Sequence, residues 1–220
     1  MRLALGIATA LVASLAASPA SASFHFMQIE QAIGGVGGDT TQQAVQLRMR
    51  AGGQNQMQFS RLRAFDAAGA NPVLLVDMTT TVPNAAAGSR VLITTAAFAT
   101  GQGVAADFTM TNAIPTAYLA SGRLTFEDDT GNVVYSLCWG SYSGPTTGSI
   151  DNDNDGTYGP CEAGALPSTT AQALRFGGAA GAVGTTNAAD YALTSGPATF
   201  SNNAGASATV DTVFVNGFED

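Results

Sequence analysis

Residues 151–156 read Asp-Asn-Asp-Asn-Asp-Gly, and Glu162 follows six residues after Gly156. This is the spacing D-x-D-x-D-G-x5-E. Side chains at alternate positions of a tight loop converge on one point. Carboxylates are hard oxygen donors, of which Ca2+ gathers roughly six to eight. Asp151, Asp153 and Asp155 supply three carboxylates, Thr157 a backbone carbonyl, and Glu162 a closing pair of oxygens. Gly156 permits the sharp turn. Three carboxylates within five residues repel one another, and a bound cation removes that cost. Tyr158 stands where such loops carry an aliphatic residue, Gly159-Pro160 does not open a helix, and nothing helical precedes Asp151. No helix–loop–helix therefore frames the motif, and the competing reading is a solvated Asp/Asn/Gly turn without metal.

Other chemistry is sparse. His25 is the one histidine, so a histidine-rich metal site is excluded and a Ser-His-Asp site would rest on that residue alone. At the start of a strand it reads as structural. Glu127, Asp128 and Asp129 are paired acids with no nucleophile or base nearby, and read as a solvated hairpin tip. The glycines of residues 34–38 could cradle a phosphate only if a helix followed; none does, so they read as a flexible loop. These residues point away from catalysis.

The frame that must position the acidic motif is exported and weakly charged. The chain has 220 residues, 45% hydrophobic and 11% charged, with a formal charge of −8. Its eight basic residues are all Arg, set against sixteen acids, which makes no footprint for nucleic acid. Apolar content of this size argues against disorder driven by charge. Arg2, the apolar stretch 3–15 and Ala20-Ser21-Ala22 form a secretory signal with cleavage expected after Ala22. The expected location is secreted or periplasmic. The signal is shorter than the ~20 residues a membrane span needs, and no later segment is long and apolar enough. Cys138 and Cys161 are the two cysteines. In an oxidising compartment they are expected to form one disulfide, worth roughly 3 kcal/mol for a loop of this length.

Short apolar runs separated by Gly, Asn, Asp and Thr clusters follow the signal. Residues 43–50 alternate most clearly, with Val45, Leu47 and Met49 opposed to Gln46, Arg48 and Arg50. Further strands are expected over 24–31, 61–65, 73–78, 90–95, 108–111, 119–126, 133–139, 171–176, 191–194 and 208–215. Helical periodicity is hard to find. The pattern predicts an all-β sandwich or barrel. Residues 141–168 form a long irregular loop tethered by the disulfide, and 177–187 a second irregular stretch. Trp139 is expected to pack in the core beside the disulfide.

The order of several pieces carries a family resemblance. They are Met27-Gln28-Ile29-Glu30, Val45-Gln46-Leu47, Asp66-Ala67-Ala68-Gly69, Arg90-Val91-Leu92-Ile93, Gly122-Arg123-Leu124-Thr125-Phe126 and Trp139-Gly140, then Asn187-Ala188-Ala189-Asp190-Tyr191. Together they resemble a divergent lamin-tail-like domain of bacterial secreted proteins, over roughly residues 25–205. The resemblance implies an immunoglobulin-like β-sandwich and an accessory, non-catalytic role. The expected organisation is a signal peptide at 1–22, the sandwich at 23–205 and a C-terminal strand and tail at 206–220. The expected function is a secreted module for binding or surface association with a Ca2+-stabilised loop, its partner an unknown protein or glycan at the cell surface. A self-associating envelope or matrix protein is the alternative, and a calcium-dependent hydrolase or nuclease accessory the second.

Overall fold

A computed structural model describes residues 26–148 and 156–212 of the chain. The chain is an all-β sandwich that visits its two sheets in pairs of strands. Strands β1 (Met27–Ile33) and β2 (Ala44–Met49) enter one sheet, and β3 (Ser60–Phe65) and β4 (Val73–Met78) the other. Next, β5 (Arg90–Thr94) and β6 (Phe108–Thr109) return to the first, β7 (Gly122–Asp128) and β8 (Val133–Trp139) to the second, and β9 (Leu174–Phe176) and β10 (Tyr191–Leu193) to the first. The resulting orders are β10-β9-β1-β2-β5-β6 and β4-β3-β7-β8. A hairpin of β11 (Thr199–Ser201) and β12 (Ser207–Thr209) lies apart from both.

Period-two alternation builds the space between the sheets. Ile29, Leu47 and Val91 stand in register across the first sheet, and Leu62, Phe126 and Tyr135 across the second. All six are buried in one core cluster, together with Trp139. The indole Nε1 donates to the carbonyls of Tyr118 and Leu119 at 2.9 and 3.1 Å, which satisfies its polar edge.

Both faces of β1 and β2 are buried. Helix α1 (Ala96–Gln102) and the β11–β12 hairpin cover the outer face. There Phe98 meets Phe200 edge to face at 5.3 Å, within a second apolar cluster that includes Ile33, Leu92 and Val210. The sequence pattern missed α1, which is two turns long. Thr95 caps its N-terminus by accepting from Phe98 N, and Gly103 at φ 65° ends it. Two one-turn helices, α2 (Thr116–Leu119) and α3 (Asn187–Asp190), complete the fold.

Three expectations are corrected. The glycine loop is not loose: Gly34, Gly37 and Gly38 donate to the carbonyls of Pro167, Thr170 and Ser168. A Cβ on Gly34 would come within 2.5 Å of Leu119 Cδ2. Glu127 is not on a solvated tip; it is buried and pairs with Arg61 at 3.0 Å and Arg63 at 3.6 Å. Asp129 is exposed in the turn as expected, and at Asp128 four contacts from Thr130 and Asn132 outweigh desolvation and hold the carboxyl down at about 2. Strand 119–126 begins later than expected, because residues 116–119 turn as α2 and put Leu119 into the core.

The edges of the sheets are short or covered, which is how β-proteins limit pairing between molecules. Strands β6 and β10 are two and three residues long. Thr111 and Asn112 donate to Leu75 O on the β4 edge. The β8 edge is closed by residue 162 and by Asn187, described next.

Candidate functional site

Strand β8 positions the tethered loop. Alternation sends Leu137 and Trp139 into the core and Cys138 to the opposite face, so the disulfide and the indole leave the strand on opposite sides. Cys138 is bonded to Cys161, with Cα atoms 5.0 Å apart. Beyond the bridge the chain runs parallel to the edge of β8: Glu162 N donates to Cys138 O, and Gly140 N to Glu162 O at 2.9 Å. The buried side chain of Asn187 completes this edge. Its Oδ1 accepts from Cys138 N at 2.8 Å, and its Nδ2 donates to Ser136 O at 3.2 Å. A primary amide thus stands in for one residue of a neighbouring strand. Asn187→Ala strips both partners from a buried edge and is expected to cost about 1–3 kcal/mol. Urea unfolding checks the loss, and faster amide exchange at Cys138 checks its location.

The loop itself has a built base. Gly148 N donates to Gly156 O at 3.0 Å and Tyr158 N to Thr146 O at 2.9 Å, with Thr147 opposite Thr157. Tyr158 is fully buried. Its hydroxyl donates to Pro145 O and accepts from Arg123 Nη1 at 2.7 Å. Arg123 in turn lies over the Phe65 ring at 4.3 Å. The aromatic residue that departs from the motif is therefore the anchor of the returning limb. Its carbonyl also accepts from Asn187 N at 2.8 Å.

Asp151, Asp153 and Asp155 lie outside the described residues. Thr157 is in the returning limb. Glu162 lies past the disulfide, where its Oε2 accepts from Gly164 N at 2.5 Å. Among the described residues, no group of three or more His, Cys, Asp or Glu is close enough to hold a metal ion. No described helix is long and apolar enough to cross a membrane. His25 and the tail from residue 213 also lie outside the described residues.

A second constellation escaped the sequence reading. The register of β1 against β2 shifts between Ile29 and Gln31. A bulge of this kind re-aims a side chain. Here it turns both Glu30 and Gln31 to the outer face. Glu30 Oε2 accepts from Arg90 Nε at 2.7 Å and Gln46 Nε2 at 2.7 Å. Its Oε1 accepts from Arg90 Nη2 at 3.1 Å and Arg48 Nη1 at 3.3 Å, and Arg175 Nη2 lies 3.8 Å away. Burial pushes the Glu30 carboxyl up, but the hydrogen bonds of Arg90 and the charges of Arg90 and Arg48 outweigh it and hold the carboxyl below its usual range. Burial pushes the Arg48 guanidinium down, and the like charges of Arg90 and Arg175 oppose the raising effect of Glu30. The only sequence signal was the row of polar residues on β2, which alternation separates from the core without saying what covers it.

No family model matches the chain, and no curated protein is similar to it.

Proposed function

We propose that this protein is an exported, non-catalytic β-sandwich module of the lamin-tail-like kind, acting in binding or surface association, with a loop that takes up Ca2+. The observation that carries the reading is the built base of the loop. Gly148 and Gly156 are hydrogen-bonded to each other, and the seven residues between them carry Asp151, Asp153 and Asp155. Holding both limbs in place spares a cation much of the entropy of ordering its ligands. The donor set of carboxylates and a carbonyl suits a hard cation. Glu162 would have to release Gly164 N to offer both oxygens, so it is the weakest ligand of the five. The disulfide supports an oxidising compartment, in keeping with export. The immunoglobulin-like strand plan implied by the lamin-tail resemblance is compatible with the paired-strand order. The short and covered edges favour this reading over the self-associating alternative.

Thermal unfolding of the mature chain in Ca2+ and in EDTA tests it. Ligand linkage predicts a saturable rise in Tm with Ca2+, equivalent to about 2.7 kcal/mol at a hundredfold excess over Kd. Asp153→Asn is expected to abolish that rise while leaving the Tm in EDTA unchanged or higher, since it relieves carboxylate repulsion. An unmoved Tm at millimolar Ca2+ would overturn the metal reading.

A further inference from the structure

The Glu30 cluster holds more positive charge than it can neutralise. One carboxylate faces three guanidinia, and among the described residues Glu30 is the only acid paired with Arg48, Arg90 or Arg175. The cluster therefore carries a surplus of two positive charges inside a chain that is acidic overall. The three arginines share the carboxylate unequally. Arg90 binds it through two nitrogens at 2.7 and 3.1 Å. Arg48 is buried, spends Nη2 on Gln28 Oε1 and on the carbonyls of Gly178 and Ala179, and leaves Nε with no acceptor in reach. Arg175 is the loosest, at 3.8 Å, and its side chain is 48% exposed.

Arg175 also lines a cleft of about 400 Å³ on the outer face of the six-stranded sheet. Ala192 and Gly178 border it on the β9–β10 side, and Thr194, Pro197 and Thr199 on the side leading into β11. A guanidinium presents a planar fork of donors suited to two oxygens of one anion. We propose that this cleft binds an oxyanion, a carboxylate or sulfate group, held by Arg175 and attracted by the unneutralised charge of Arg48 and Arg90 behind it. The occupant is either a free small anion or the acidic group of a larger saccharide. This site lies on the opposite sheet from the tethered loop and does not depend on the calcium reading.

The test is thermal unfolding and calorimetric titration of the mature chain in EDTA, at ionic strength fixed with NaCl. The probes are sodium sulfate for the free anion and trigalacturonate for the saccharide. Wild type is expected to respond saturably to at least one probe, with Kd on the order of millimolar, and the tighter probe identifies the source. Arg175→Gln is expected to weaken binding at least tenfold, and Arg175→Lys to keep part of it. Sulfate also stabilises proteins non-specifically by exclusion from their surfaces. An equal, unsaturated rise in wild type and Arg175→Gln, or no titration with either probe, would overturn the proposal. A second measurement needs no ligand. In low-salt buffer, Arg175→Gln is expected to match or exceed the wild-type Tm, because it removes repulsion from Arg48 and Arg90. A Tm lowered by several degrees would make Arg175 a structural partner of Glu30 and would equally overturn the proposal.

Discussion

Glu30→Gln is expected to cost about 3–5 kcal/mol of stability at pH 7, the usual range for removing one partner from a buried ion pair. The glutamine is nearly isosteric and leaves no cavity, so the loss would report charge rather than packing. Glu30 is fully buried, and its removal leaves three guanidinia with no paired acid among the described residues. Urea unfolding should show a lower midpoint at unchanged slope. The pH dependence fixes the mechanism. The carboxyl of Glu30 is held below its ordinary value of 4.5 in the folded state. Its contribution is therefore present in full above the unfolded value and drains away as pH falls through the folded value. The gap between wild type and Glu30→Gln should accordingly narrow below about pH 4.5 and stay flat from there to pH 7. A gap that is constant down to pH 3 would show that the variant acts through packing or hydrogen bonding. The comparable Glu127→Gln should cost less, because neither of its partners is as buried as Arg48: Arg61 and Arg63 are 19% and 29% exposed against 7% for Arg48.

Cys138→Ala with Cys161→Ala is expected to cost roughly 3 kcal/mol, the loop-closure entropy of the segment they tie. Cys138 is fully buried in a hydrogen-bonded strand, and its backbone partners Asn187 and Glu162 remain after the sulfurs are removed. The core between the sheets contains neither cysteine's bridge. The double variant should therefore fold, with native near-ultraviolet dichroism from Trp139, and unfold at a lower midpoint. Its second effect falls on the loop. Without the bridge, the contacts of Tyr158 and of Gly148 with Gly156 hold the limbs, and the rise in Tm with Ca2+ that the proposed function expects should shrink. An unchanged midpoint after reduction would mean that these contacts already fix the loop in the unbridged protein.

The strands that were legible in the sequence share one property: they are long enough for alternation to be counted and are bounded by turn residues. The expected bounds 73–78 and 133–139 coincide with β4 and β8. Strand β11 escaped notice because it has three residues in a Ser-, Asn- and Gly-rich stretch, and only Phe200 marks it. Its strand character comes from pairing with β12 and from the contact of Phe200 with Phe98 across the chain. The tail strand expected over 208–215 corresponds in part to β12, which ends at Thr209. The acidic motif is legible because its three aspartates alternate within one short run, whereas Tyr158 reads as a departure from the motif and only its hydrogen bond from Arg123 explains it.

What the sequence determined by itself is local or nearly so: apolar alternation, Asp and Gly turns, a cysteine pair, and an acidic run whose spacing suits a cation. It also placed Gln46 and Arg48 opposite the core, because a strand has only two faces. Which of those faces meets water is decided by what packs on it. The tertiary structure lays α1 and the β11–β12 hairpin over that face and brings arginines from β2, β5 and β9 around a glutamate on β1. Charges so far apart in the chain become neighbours only through sheet order and a one-residue bulge, and no period in the sequence encodes either. The disulfide was expected from composition, yet the separation of Cys138 from Trp139 onto opposite faces follows from the register of β8 in a finished sheet.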